Sequence, residues 1–201
     1  MTREEALKIA KPILFNTRMV LAIQGGTKTV TRRLVKPKYT NTKIVLKNGK
    51  AFETLGTPAT TVEIKAPYKV GDILYVRETW STVNVRPKRY LYKTNCPEAE
   101  NLPVKWHPSL HMPKEAARYF VRVTSVHAER LQDIDGYGIL AEGVDNGSSN
   151  PAMGKRWENI QRAAYSELWN STVKKSELDK YVWAANPWVW VIEFERLEVI
   201  A

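Results

Sequence analysis

Apolar positions along this chain fall mostly into short runs of alternating or continuous character, broken by a few stretches of helical spacing. Pro12-Ile13-Leu14-Phe15 predicts a first strand. Thr17 to Gln24 predicts a short helix, with Gly25 or Gly26 just beyond its last turn, where glycine accepts the left-handed backbone of a helix end. Lys28 to Val35 predicts a strand, closed by Lys36-Pro37. Lys43 to Glu53 predicts a hairpin, because Asn48-Gly49 suits a two-residue turn with two positive φ angles. Thr61 to Ala66 predicts another short strand. Val70-Gly71-Asp72 then turns the chain into a core strand from Ile73 to Trp80, with Arg89 to Thr94 as its expected antiparallel neighbour.

A proline-bearing loop covers Trp106 to Pro113, and the alternation from Ala117 to Leu131 predicts a long strand. Asp133 to Glu142 predicts a short helix ended by Gly143. The polar stretch Gly143 to Gly154, centred on Asn146-Gly147-Ser148-Ser149-Asn150, predicts a flexible loop. Arg156 to Val173 predicts an amphipathic helix with Trp157, Ile160, Ala164, Leu168 and Trp169 on its apolar face, and Trp188 to Leu197 a final strand. Neither an internal repeat nor a linker interrupts the pattern. Strands joined by short helices predict one α+β domain, a small mixed β-barrel in preference to a parallel α/β sheet.

Composition narrows the function classes. The 201 residues suffice for one domain with its own core, and 43% hydrophobic with 26% charged residues is ordinary for a globular protein. A net charge of +10 favours polyanionic partners, RNA or DNA first, but no block of five basic residues forms a tail. A single cysteine, Cys96, excludes an intrachain disulfide and suits a reducing compartment. The first residues, Met-Thr-Arg-Glu-Glu-Ala, lack the apolar run of a leader. The most apolar stretch, Tyr181 to Phe194, is interrupted by Asn186-Pro187 and is short for a bilayer. These features predict a cytoplasmic protein without a membrane partner. Three histidines (His107, His111, His127) and one cysteine do not make a usual zinc centre, the paired motif of zinc deaminases is missing, and no phosphate-cradling glycine loop occurs. Catalysis without a metal or a bound cofactor is therefore expected.

The candidate chemistry lies in Gly25-Gly26-Thr27-Lys28-Thr29-Val30-Thr31-Arg32-Arg33. A lysine three residues before a threonine, beside further positive charge, pairs a base with a hydroxyl nucleophile. The same residues also read as an ordinary strand with a solvated face. Geometry sets a condition on the catalytic reading. Residues 28 and 31 of one regular strand point to opposite faces, so both serve one pocket only if Lys28 precedes the strand.

Three segments in this order carry a resemblance: Ala22-Ile23-Gln24-Gly25-Gly26-Thr27-Lys28-Thr29-Val30-Thr31-Arg32, then Val70-Gly71-Asp72-Ile73-Leu74-Tyr75-Val76, then Leu140-Ala141-Glu142-Gly143-Val144. Together with the closing Trp188 to Phe194 they resemble the ASCH family, barrel-forming domains related to the PUA fold of RNA-modification proteins. The likeness covers about residues 12 to 198, with an enlarged hairpin region at about 36 to 68. It implies a single ASCH-like domain over residues 1–201, a PUA-like mixed β-barrel with short flanking helices. Small bacterial members resemble amidases that remove an acyl group from the exocyclic amine of cytidine, using a lysine, a threonine and a glutamate. The matching positions are Lys28, Thr31 and Glu142. The resemblance implies Thr31 as nucleophile, Lys28 as base, and Glu142 as the group that orients Lys28 or carries a proton to the leaving amine.

Arg32, Arg33, Glu78, Trp80 and His111 are the candidate substrate-binding residues, with Trp80 offering a face to a pyrimidine and Trp188 a further pocket wall. The implied partner is a modified pyrimidine nucleoside or base. Two alternatives stay open: a non-catalytic RNA-binding module of PUA-like fold, and a metal-independent ribonuclease. Acyl-chain preference, the choice among base, nucleoside and RNA, and the oligomeric state are open at this point.

Overall fold

A computed structural model describes residues 1–39, 42–55, 60–83, 89–96, 104–144 and 151–200. Their elements in chain order are α1 (Arg3–Ile9), β1 (Lys11–Leu14), α2 (Thr17–Gln24), β2 (Val30–Leu34), β3 (Lys43–Lys47), β4 (Lys50–Thr54), β5 (Thr61–Ile64), β6 (Ile73–Arg77), β7 (Trp80–Val83), β8 (Arg89–Tyr92), β9 (Phe120–Arg130), α3 (Gly136–Ala141), α4 (Lys155–Thr172), α5 (Leu178–Tyr181) and β10 (Trp188–Leu197). The class is mixed α+β. Strands pair in the orders β1-β6-β9-β10-β2, β3-β4-β5 and β7-β8. None of these sheets closes into a barrel among the described residues, so the α+β class expected from the sequence is observed and the closed barrel is not. The polar loop expected at 146–150 lies outside the described residues. No helix among the described residues is long and apolar enough to cross a membrane.

The chain packs as two compact units: Met1–Thr29 with Gly71–Val123 and Phe194–Ala201, and Val30–Val70 with Thr124–Glu193. In the first unit β1 runs parallel to β6, which pairs antiparallel with the start of β9. Four of the five β6 residues are buried, as a strand flanked on both sides requires. Ile73, Tyr75, Met112 and Phe120 pack with Ala6 and Ala10 of the α1 region. Arg89–Tyr92 pairs with β7 and not with β6, contrary to the expectation from the sequence. The reason is a break after Arg77: the Glu78 N–H turns to the Met112 sulfur at 3.2 Å, ending the ladder before β7 starts.

In the second unit β2 lies antiparallel to β10, with Thr31 opposite Ile192. The β3–β4 hairpin turns through Asn48 (φ 51°) and Gly49 (φ 74°), the geometry its sequence predicts. Glu53 on β4 is 1% exposed and ties down the preceding segment. It accepts from the Tyr39 N–H at 2.7 Å, the Lys38 N–H at 3.0 Å and the Thr42 hydroxyl at 2.5 Å. Helix α4 buries Trp157, Gln161, Tyr165 and Trp169, one residue per turn. The aliphatic Ile160, Ala164 and Leu168, expected on the buried face, flank it half-buried. Tyr165 and Trp169 join Leu131, Ile134, Ile139 and Val189 in this unit's core.

Two predictions follow from these contacts. Burial alone would raise the Glu53 carboxyl, but the Thr42 hydroxyl, the two N–H donors and the Lys38 charge outweigh it and hold the group below its ordinary 4.5. A depressed carboxyl contributes stability above its unfolded value and loses it as pH falls through the folded value. Glu53→Gln is expected to cost about 1–3 kcal/mol at neutral pH in urea unfolding, with the gap to the parent narrowing as pH drops below 4.5. At Gly136 a Cβ would lie 2.3 Å from Cζ3 of the buried Trp157 ring. Replacing a helical glycine by alanine ordinarily gains about 1 kcal/mol. Here overpacking of about 1–3 kcal/mol dominates, so Gly136→Ala lowers the thermal midpoint.

Candidate active site

Within the second unit the sequence-predicted Arg32 and Glu142 come together, and Thr31 is the residue before Arg32 on β2. Strand β2 ends its sheet, so backbone N–H groups on the side away from β10 have no ladder partner. Helix α3 starts on the Asp135 cap, ends at Glu142, and is followed by Gly143 in left-handed backbone (φ 76°). This delivers Glu142, 4% exposed, to the open edge of β2. The N–H of Arg32, the peptide directly after Thr31, donates to Glu142 Oε1 at 2.7 Å. Arg32 Nη1 lies 3.4 Å from the same oxygen, and the Tyr165 hydroxyl donates to it at 3.2 Å. Arg32 Nε donates to Glu129 Oε1 on β9 at 2.8 Å, and His127 Nε2 stands 3.5 Å from the other Glu129 oxygen. One guanidinium thus bridges two carboxylates.

The electrostatics follow from that arrangement. Burial would lower Arg32, but Glu142 and Glu129 outweigh it and hold the guanidinium above its ordinary value. At Arg33 burial prevails over the attraction of Glu142, and the group is lowered. Tyr165 is pushed well above its usual value, first by burial and then by the Glu142 charge it donates to. A Cβ at Gly138 would press on Ile134 at 3.0 Å and Asp135 Oδ1 at 3.1 Å, with Arg32 Nη2 at an ordinary 3.5 Å.

Lys28 belongs to the first unit, where it is 3% exposed. Its N–H donates to the Ala22 carbonyl at 3.1 Å, after a turn through Gly26 (φ 75°), and its Nζ lies 5.4 Å from the centroid of the Phe15 ring. Regular pairing of β2 begins at Val30. Lys28 stands two residues before β2, with its backbone in a single β-bridge. Thr31, inside the strand, is 4% exposed.

Glu78, Trp80 and His111 are also in the first unit. Glu78 and Trp80 do not lie on the one strand expected from Ile73 to Trp80, because β6 ends before Glu78 and β7 begins at Trp80. The Glu78 carboxylate is fully buried. It accepts from Arg118 Nε at 2.8 Å and Nη2 at 2.9 Å and from the Thr94 hydroxyl at 2.7 Å. Trp80 stacks on His107, with centroids 4.9 Å apart, and tilts against Tyr90. His111 is exposed at the end of a short 3-10 turn, Ser109–His111. In the second unit Trp188 carries the Arg130 guanidinium 4.2 Å from its ring. Glu129 and Tyr165 are the members of the cluster that the sequence reading missed. The signal for Tyr165 was a polar tip on the inner face of an amphipathic helix; none pointed to Glu129.

Among the described residues no group of three or more His, Cys, Asp or Glu side chains is placed to hold a metal ion. The chain matches no protein-family model, no curated protein and no solved structure.

Glu78 gives this subsection its test. Removing one partner of a buried ion pair leaves an uncompensated charge. Because the Arg118 side chain is 22% exposed, the expected cost of Glu78→Ala is at the lower end, about 3 kcal/mol. Chemical denaturation should show that loss, and the double change with Arg118→Met should recover part of it.

Proposed function

We propose that this protein is an amidohydrolase that removes the acyl group from the exocyclic amine of N4-acylated cytidine or cytosine, with Thr31 as nucleophile, Lys28 as base and Glu142 as proton carrier. The observation that carries this reading is the 2.7 Å hydrogen bond from the peptide after Thr31 to Glu142. Glu142 thus binds the strand that carries Thr31, one peptide beyond it, although 110 positions separate Arg32 from Glu142. The finer fold reading, a PUA-like ASCH domain acting in the cytoplasm, belongs to the same proposal.

The chemistry suits the residues. An acylated cytosine amine is an amide, so its hydrolysis needs a nucleophile, a base and a proton for the leaving nitrogen. Desolvation favours the neutral form of an amine, the form in which Lys28 accepts the Thr31 hydroxyl proton. The Thr31 oxygen bonds to the acyl carbon, the C–N bond breaks, and the cytosine nitrogen leaves with a proton as the free amine. Water then attacks the threonyl ester, giving the carboxylic acid and restoring the hydroxyl. Glu142 collects and returns a proton in these steps. A buried ionisable cluster of this kind is more frequent at functional sites than elsewhere. The net charge of +10 favours a second reading, a non-catalytic RNA-binding module.

An ultraviolet absorbance assay on 4-acetylcytidine tests the proposal. The parent should turn over, and Lys28→Ala, Thr31→Ala and Glu142→Gln should each lose about 100-fold or more in kcat. A folded parent that leaves both acetylated and benzoylated cytidine intact overturns it. Salt-sensitive RNA binding that survives Thr31→Ala would then support the second reading.

A further inference from the structure

We infer that Tyr165 is a positioning residue that, with Arg32, fixes Glu142 as an oriented carboxylate for proton transfer, while Glu129 fixes Arg32. The inference rests on the hydrolase reading above and adds residues that neither the motif nor the resemblance contains.

Three donors converge on one Glu142 oxygen: the Arg32 N–H at 2.7 Å, the Tyr165 hydroxyl at 3.2 Å and Arg32 Nη1 at 3.4 Å. Two come from β2 and one from α4, so the carboxyl plane is set from two directions. The Tyr165 hydroxyl is buried and keeps its own proton, since burial and the adjoining negative charge push it well above its usual value. It therefore acts as a fixed donor and does not compete with Glu142 for protons. Its ring is locked by Trp169 at 6.4 Å and by the edge-on Trp183 at 6.0 Å. Arg32 is held in turn by Glu129 at 2.8 Å, which leaves the guanidinium little freedom to swing away. Arg33 on β2 also feels the Glu142 charge, and His127 on β9 faces the far oxygen of Glu129.

Tyr165→Phe keeps the ring and removes only the donor. Its expected effect is a fall in kcat of about tenfold with KM changed less than about twofold, as loss of one hydrogen bond to a charged group gives. The acidic limb of the kcat profile should move to higher pH, because a carboxylate that loses a donor protonates more easily. A limb owned by His127 would stay in place in Tyr165→Phe. Glu53→Gln is the structural control: it weakens the buried donor set of β4 outside the cluster and lowers stability, but leaves the limb unmoved.

Carbon-13 NMR titration of the Glu142 carboxyl in the parent and in Tyr165→Phe needs no turnover. An upward shift in the variant, together with the moved limb, supports the inference. A Tyr165→Phe protein that loses stability alone, with limb and titration unmoved, overturns it. An inactive, folded parent overturns the catalytic role along with the hydrolase reading. An upward NMR shift would then show that the donor set is right and the substrate wrong, whereas no shift would show that both fail.

Discussion

The second unit depends on a single guanidinium. Arg32 lies between two carboxylates, and its side chain and that of Glu142 are only 6% and 5% exposed. Removing charges from water costs several kcal/mol per ion, and the attraction between them offsets that only when geometry is good and the remaining donors are used. Here the backbone contributes as well as the side chain. The Arg32 N–H would otherwise be an unpaired donor at the edge of β2, and Glu142 satisfies it. One interaction therefore closes a sheet edge, anchors the end of α3, and ties β2 to β9 through Glu129.

The same interaction explains which parts of the structure were legible in the sequence. Local signals sufficed for the elements whose causes are local. Asn48-Gly49 specifies its turn whatever surrounds it, and α2 is bounded by the Asn16 cap and the glycines after Gln24. Helix α1 escaped the sequence reading although Thr2 and Glu5 form a capping box, because seven residues with one buried alanine give no apolar stripe to read. The core strand from Ile73 was read too long because Glu78 continues a plausible alternation. What ends the strand is a tertiary contact, the turn of the Glu78 N–H to the Met112 sulfur, and no neighbouring residue announces it.

The site divides along the same line. Lys28 and Thr31 were legible as a motif because their chemistry is packed into a few residues, and Glu142 through the ordered likeness of the segments around it. Glu129 and Tyr165 were not, since each meets the cluster only after folding, 97 positions from Arg32 and 23 from Glu142 respectively. On α4 the reading favoured aliphatic positions for the buried face. The observed face carries Gln161 and Tyr165 between two tryptophans, one step round the helix. A polar residue on an inner helical face needs a partner there, and for Tyr165 that partner is the carboxylate the motif had already marked.

Helix α3 shows how much the rest of this unit concedes to place Glu142. It has six residues, of which Gly136 and Gly138 are poor helix formers, each about 1 kcal/mol worse than alanine. Gly136 is required by space, since a Cβ there meets the Trp157 ring, whereas one at 138 would press on the flexible Ile134 and Asp135 side chains. The helix then ends on an acid, and a negative charge at a helix C-terminus opposes the macrodipole by about 0.3–1 kcal/mol. A position selected for helix stability alone favours a cation there. Instead the acid is kept, desolvated, and supplied with donors from β2 and α4. Local rules broken together at one buried carboxylate, with the compensation built around it, are the pattern of a group retained for its chemistry.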